Sequence, residues 1–454
     1  MKFTYPNTFM RKVILTAVAL TSYTPVTDAQ VLPSVTRTVT QPIEDISRRA
    51  ANERITDRIK PRVAPALPDL LPELKTTLTT ELSQALLPVK QALNVVNSIQ
   101  QTVIREEITP QGDLAIAREW VLYVSDADLS LLAESSFTVV KQRYVSLLDN
   151  WLVSIRVPDE LNSVQAMQAS LPAHLQTQLG RNHIYLTQAG SASGTMNSEQ
   201  NKLNSAAQLC NQPSRIGMLD SAIEMHHPLL TSLSITQQRF LDESLPISQA
   251  HGTAVAGILQ QQLSQRSQVF NAAVFYSRTQ VSQGASVFDL ISGMDWLSKQ
   301  QVSVINMSFT GPQNPLLAKA ITRLSKSGIT LVAAVGNAGP AAPPLYPAAF
   351  PEVIGVSAVD ANGTIYRWAN QGEQVAVSAS GVSVITARIN GETGPETGTS
   401  MASPVIAGWL SHWLACESSE ATGLVELPHQ LRDQLQDKGE PGWDPVYGEG
   451  VWLP

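Results

Sequence analysis

Apolar positions fall into three kinds of pattern along this chain. Near the start, Lys2, Arg11 and Lys12 precede the run Val13-Ile14-Leu15-Thr16-Ala17-Val18-Ala19-Leu20. Further on, Leu67, Leu70, Leu71, Leu74, Leu78, Leu82 and Leu86 recur at three- and four-residue steps, the helix period. Pro68, Pro72 and Pro88 interrupt this stripe. Val89, Leu93, Val96, Ile99 and Val103 continue it. The third pattern is short apolar blocks: Trp120–Val124, Phe137–Val140, Leu152–Val157 and His183–Leu186 read as strands. Ser125 and Asp126 predict a helix cap with a helix through Ala133, and Ser163–Met167 predicts a second helix. The resulting order over 116–189 is β-α-β-β-α-β, the split βαβ pattern of a small α+β module.

Composition separates the front of the chain from the rear. At ~100–200 residues per domain, 454 residues argue for more than one unit. Of 26 glycines, 22 lie in 217–454, whereas no aromatic occurs from Gln30 to Glu119. A stretch without aromatics is a poor source of an independent core. One large glycine-rich domain is therefore expected over 209–454, with different material ahead of it. That rear part carries 12 Lys and Arg against 19 Asp and Glu. It offers no electrostatic basis for binding nucleic acid or an anionic membrane.

The first 29 residues have the layout of a secretory signal peptide, with a cut after Ala29. The run is too short for a membrane span of about 20 apolar residues. A secreted or periplasmic protein is expected, with no integral membrane segment in the mature chain. Residues 30–115 read as a Pro-interrupted helical or partly disordered arm, either docking on a neighbour or serving as a spacer. Residues 190–208, rich in Gly, Ser, Ala and Asn, have linker composition.

Three strings in the rear part carry chemistry. Ile216-Gly217-Met218-Leu219-Asp220-Ser221 is an apolar run ending on a carboxylate, as at the C-terminal end of a strand in an α/β sheet. His251-Gly252-Thr253-Ala254-Val255-Ala256-Gly257 predicts a closely packed helix starting near His251. Gly398-Thr399-Ser400-Met401-Ala402-Ser403-Pro404 opens a helix through about Leu414, with Pro404 in its first turn. A serine there sits where the helix dipole and free N–H groups favour developing negative charge. Taken singly, each residue has an ordinary reading: a turn carboxylate, a structural histidine, an N-cap serine. Together, Asp, His and Ser make an oriented nucleophile. A fourth string, Leu331-Val332-Ala333-Ala334-Val335-Gly336-Asn337, delivers an amide that either donates to an oxyanion or supports the turn.

With these strings, and with VINMSF and AAVGNAGP between them, residues 209–454 resemble the catalytic domain of the subtilisin-like serine peptidases. The resemblance implies a three-layer α/β fold with a central, mostly parallel sheet. It implies a serine endopeptidase with Asp220, His251 and Ser400 as triad and Asn337 in the oxyanion hole. Substrate-binding positions would be Ser308, Phe309, Gly311 and Gly284. Polypeptides would be the substrates. The front module resembles this family's inhibitory propeptide, which would make it an intramolecular inhibitor. The resemblance also implies a disulfide between Cys210 and Cys416 in an oxidising compartment. Relatives often bind calcium, but no tight Asp/Asn-rich loop is present, so no metal or other cofactor is expected.

The sequence departs from the family pattern at Ala222, where Gly is usual, at Ala254, where His is frequent, and in Ser308-Phe309-Thr310-Gly311. Two other readings fit parts of the pattern. A binding or scaffold protein on a silent peptidase fold is opposed by the complete residue set. An α/β-hydrolase esterase would run Ser, acid, His, whereas Ser400 comes last here. The His226-His227 pair lacks the i, i+4 spacing of helical metal ligands, so His227 is expected to be structural.

Overall fold

The computed structural model describes residues 91–133, 137–187, 212–279, 281–417 and 423–453. All of them belong to one compact unit, Ala85–Pro454. The expected signal peptide, the leucine stripe of 67–86, the 190–208 linker and Cys210 lie outside the described residues.

The front strands are β1 (Asn94–Val96), β2 (Thr102–Ile108), β3 (Leu114–Val124), β4 (Thr138–Val145), β5 (Asn150–Arg156) and β6 (Leu179–Thr187). Between them lie α1 (Asp126–Ala133) and α2 (Val164–Ser170). From β3 to β6 the order is the one predicted, and Ser163 caps α2 by accepting from Ala166 N at 3.2 Å. The reading of Val96, Ile99 and Val103 as helical is overturned: they lie in β1, a turn and β2. The cause is local. Asn97 Oδ1 accepts from Ile99 N and Gln101 N, an Asx turn that competes with helix. Gln100 follows at φ 62°.

The rear strands are β7 (Arg215–Asp220), β8 (Ser234–Arg239), β9 (Gln268–Ala273), β10 (Tyr276–Ser277), β11 (Gln283–Ser286), β12 (Val304–Met307), β13 (Phe309–Thr310), β14 (Thr330–Ala334), β15 (Val353–Val359), β16 (Val377–Ser380), β17 (Val384–Arg388), β18 (Glu392–Glu396) and β19 (Val451–Trp452). The longer helices are α3 (Ala250–Gln262), α4 (Val287–Ser298), α5 (Pro315–Lys326) and α6 (Thr399–Cys416). Eight strands form one parallel sheet in the order β19-β16-β15-β14-β12-β7-β9-β8.

Side chains of this sheet alternate between two cores, as the two-residue strand period requires. Leu219, Ile305, Met307, Leu331 and Ala333 face one core with α4 and α5. Met218, Val304, Val332 and Ile354 face the other with α3 and α6. The result is the expected three-layer α/β fold, with a parallel sheet buried on both faces.

The front sheet is antiparallel and splits its faces differently. Trp120, Leu122, Val153 and Ile155 turn into the module's own core. Val121, Tyr123, Leu152 and Tyr185 turn into the core they share with α4 and α5. Polar contacts reinforce this seam. Lys141 pairs with Asp289 at 3.2 Å, Leu147 N donates to Asp295 at 2.8 Å, and Tyr123 OH donates to Leu316 O at 3.1 Å.

Candidate active site

Asp220 ends β7 and His251 lies in the first turn of α3. Gly252 makes their approach possible: a Cβ there would lie 2.4 Å from the carbonyl oxygen of Ser221. Gly252 N donates instead to Ser221 Oγ at 2.9 Å, locking the helix onto the end of β7. The His251 Nδ1 to Asp220 Oδ1 distance is 2.7 Å, and both side chains are buried. An imidazole Nδ1–H donating to a carboxylate leaves Nε2 as the acceptor nitrogen. That Nε2 is buried and has no hydrogen-bond partner among the described residues.

Ser400 is the second residue of α6, at the end of the helix where backbone N–H groups are unpaired. Gly398, at φ 143°, makes the turn into it, a region of backbone space that disfavours side chains. Ser400 Oγ donates to the Ser308 carbonyl at 3.2 Å, so no hydrogen bond joins Ser400 to His251 in this structure. Pro404 corrects the expected position: it lies in the second turn of α6, four residues after Ser400. It cannot donate to the Ser400 carbonyl, and Ser308 Oγ does so at 2.9 Å. Ser308 and Ser400 therefore hold each other reciprocally.

Asn337 stands in the turn after β14, next to Gly336 at φ 110°. Its Oδ1 accepts from Thr399 N at 2.9 Å and from Thr399 Oγ1 at 3.0 Å. These bonds fix the amide so that its NH₂ end points away from Thr399. The sequence reading missed this service of Thr399, and also that of Asn306 and Ser403. Asn306 Nδ2 donates to Ser308 Oγ at 2.9 Å, while Ser403 Oγ donates to Asn306 Oδ1 at 2.7 Å. Their signal was present in the VINMSF and GTSMASP strings, but nothing local showed that the two would meet.

Of the four positions expected to bind substrate, Phe309 and Gly284 lie on β13 and β11, and β6 lies between those two strands. On one side Thr187 pairs with Phe309 and Leu186 with Thr310. On the other Leu186 pairs with Gly284, Tyr185 with Ala285 and Ile184 with Ser286, all antiparallel. Gly311 does not pair with β6 but bridges to Tyr346. It is a contact wall, since a Cβ there would meet the Tyr185 ring at 2.4 Å. The Phe309 side chain is wholly buried and belongs to the core, edge-on to Tyr185.

Two of the three departures from the family pattern, Ala222 and Ala254, sit in packing. Ala222 is buried and its N–H donates to Ser248 O at 3.1 Å. Ala254 is buried and its carbonyl accepts from Thr386 Oγ1 at 2.6 Å. His227 accepts from Leu229 N through Nδ1 at 3.1 Å, and its Nε2 lies 2.7 Å from Glu392 O. Both ring nitrogens are engaged in holding the loop after β7. Cys416 is disulfide-bonded.

Comparison with known proteins gives one family-model match, to the subtilase family over residues 212–450. The minor extracellular protease Epr of Bacillus subtilis is 28% identical over 242 residues, covering 52% of this chain and 37% of the relative. Subtilisin of Bacillus pumilus is 30% identical over 254 residues, covering 52% of this chain and 88% of the relative. Among solved structures, fervidolysin from Fervidobacterium pennivorans, a keratinolytic enzyme related to subtilisin, superposes with a TM-score of 0.59 at 17% identity. That match covers 81% of this chain and 63% of fervidolysin. The epidermin leader peptide processing serine protease of Staphylococcus aureus gives 0.58 at 16% identity, covering 73% of this chain and 96% of that one.

Proposed function

The chain belongs to the subtilase family, a family of serine endopeptidases, and on that premise we propose that it hydrolyses polypeptides through Asp220, His251 and Ser400. The observation that carries this reading is the buried 2.7 Å contact of His251 with Asp220, with the accepting Nε2 unengaged. Ser400 Oγ attacks the scissile carbonyl as it turns from Ser308 to His251. His251 Nε2 takes its proton and later gives it to the leaving amine. Asp220 holds the tautomer and stabilises the imidazolium. The oxyanion is held by the Ser400 N–H and the Asn337 amide, aimed by its bonds to Thr399. A substrate chain enters as an extended strand between β11 and β13, the mode of strand addition.

In the same reading, the front module is an intramolecular inhibitor. Its support is that β6 already occupies the place of such a strand. Activation follows a cut within 190–208, export follows the signal at 1–29, and the protein acts in the periplasm or outside the cell. The name of Epr, an extracellular protease, agrees with that location for a relative. Cys416 pairs with Cys210, the other cysteine of the chain. One experiment tests the nucleophile, the processing and the export signal together. Native protein and Ser400→Ala are purified, their N-termini are read by mass spectrometry, and casein hydrolysis is measured. The native chain should lose its front segments and cleave casein. Ser400→Ala should lose only the signal and stay inert. Casein cleavage by Ser400→Ala would sink the assignment.

A further inference from the structure

Strands β1 and β2 lie outside the β-α-β-β-α-β module and outside the cleft. Their apolar side chains nonetheless share a core with the rear of the chain: Val95 and Ile104 pack with Leu241, Leu245 and Tyr276. At the edge of this patch Glu106 meets Arg278, 172 residues later, with both side chains almost wholly buried (0% and 4% exposed). The contact is a two-pronged fork. Arg278 Nε donates to Glu106 Oε1 at 2.7 Å and Nη2 donates to Oε2 at 2.6 Å. Tyr276 OH adds a bond to Oε1 at 3.3 Å, and Leu93 N adds one to Oε2 at 3.0 Å. The remaining guanidinium donors reach Gln91 O and Ser282 Oγ, at 2.9 and 3.0 Å. The Arg278 stem lies over Gly284, where a Cβ would come within 2.7 Å of Arg278 Cδ.

We infer that the surface formed by Leu241, Leu245, Tyr276 and Arg278 is a second docking site, adjoining the cleft at Gly284 and Ile184, for an apolar β-hairpin that carries a carboxylate. In this chain its occupant is β1–β2. The argument rests on completeness. A buried charge is tolerated only when paired and hydrogen-bonded, and here both carboxylate oxygens and all three guanidinium nitrogens have partners. A neutral or basic residue in place of Glu106 would leave Arg278 buried without a counter-charge, so the site discriminates by charge as well as by shape. The front module is thereby held at three places: by β6 in the cleft, by its seam with α4 and α5, and by the hairpin. Given the reading of the front module as inhibitor, on which this consequence rests, cutting behind β6 leaves the seam and the hairpin in place. The Glu106–Arg278 pair then lengthens the time for which the cut module stays on the enzyme.

The test uses the full chain carrying Glu106→Arg, Arg278→Glu, both together, or Glu106→Gln. In the Ser400→Ala background, amide hydrogen exchange is followed over 94–108 and over 179–187. Each charge reversal alone should raise exchange over 94–108 by about tenfold or more, and the double exchange should restore it in part, because the fork is rebuilt with its signs swapped while Leu93 N and Gln91 O lose their partners. Glu106→Gln keeps the shape and should raise exchange by about threefold, which covers the case of a reversal that does not fold. Exchange over 179–187 should move far less. Unchanged exchange over 94–108 in the single variants, or no recovery in the double, overturns the second site. With Ser400 present, casein hydrolysis should appear after a lag that Arg278→Glu shortens and the double exchange lengthens again. Absence of any lag in the native chain, with the exchange pattern as expected, would instead overturn the inhibitor reading and leave the docking site standing.

Discussion

The two large sheets of the described residues solve burial differently. In the rear, every residue of β9 except the first is buried, as are all residues of β12, β14 and β15. Asp220, Asn337 and Ser400 emerge at a strand end, a turn and a helix start, while Asn271 and Asn306, polar side chains within the strands, are buried and hydrogen-bonded. The rear therefore supplies its own two cores and builds its site on rigid elements. In the front, Trp120 and Leu122 face a core internal to the module, while Val121 and Tyr123, one residue along, depend on α4 and α5 for cover. One face of the module is self-sufficient and the other is borrowed. The largest effect should come from breaking the self-sufficient face. Trp120 is buried beneath the Arg181 guanidinium, 4.6 Å from its ring centre. Trp120→Ala should cost the module about 3–5 kcal/mol. In the Ser400→Ala background, hydrogen exchange should rise across 114–187 and stay slow in β7 and β12. Equal loosening of β7 would show that the two regions are one cooperative unit.

The rear should behave in the opposite sense, losing chemistry without losing structure. Removing the oxyanion asparagine costs subtilisin about 10²–10³ in kcat, and Asn337→Ala should fall in that range with little change in KM. Steady-state kinetics on a peptide substrate checks it. A rise in KM at constant kcat would mean that Asn337 supports the cleft rather than the transition state.

This contrast also explains what the sequence disclosed. Asp220, His251 and Ser400 were legible because each sits in a string whose Gly and Ser residues have a local purpose, such as Gly252 against Ser221 O. The β-α-β-β-α-β order was legible because its strands and caps are local too. The β1–β2 hairpin was not. Val96, Ile99 and Val103 fit a helical stripe until Asn97 turns the chain, and the reason for the turn's value lies in Leu241, Leu245 and Arg278. No window of sequence around Glu106 points to residue 278. The same holds for Pro404, whose place in the second turn makes sense only once Ser308 Oγ is seen at the carbonyl it leaves free.

A smaller effect should come from the wall between the two regions. Gly311 allows the wholly buried Tyr185 ring to lie against the backbone. Gly311→Ala overpacks this contact, and overpacking costs about 1–3 kcal/mol. The front can relieve it by letting β6 retreat, whereas the rear strands, buried on both faces, have no comparable freedom. Faster exchange over 179–187 with an unchanged β12 and β14 is the expected result. Loss of order in β14 would place the strain on the rear and reverse the comparison.

The smallest effect tests the front's self-sufficient face at a single cap. Ser125 Oγ accepts from Asp128 N at 3.3 Å and donates to Asp128 Oδ2 at 2.6 Å, opening α1 with a reciprocal cap. The Ser125 hydroxyl holds the Asp128 carboxyl below its ordinary range, and His174 lowers it further. A carboxyl whose pKa is lowered on folding adds stability above its unfolded pKa and loses it as pH falls through the folded value. Ser125→Ala should therefore destabilise the module by about 1 kcal/mol at neutral pH. The gap between variant and native chain should begin to narrow as pH drops below about 4, the ordinary carboxylate range, and should close only below the lowered value of the native chain. Because α1 packs only within the front core, the melting of the rear should not respond at any pH. Urea titrations of the Ser400→Ala chain at pH 7 and pH 3.5, read by exchange over 126–133, measure both quantities. A gap that widens in acid would mean that the cap acts through a group other than Asp128.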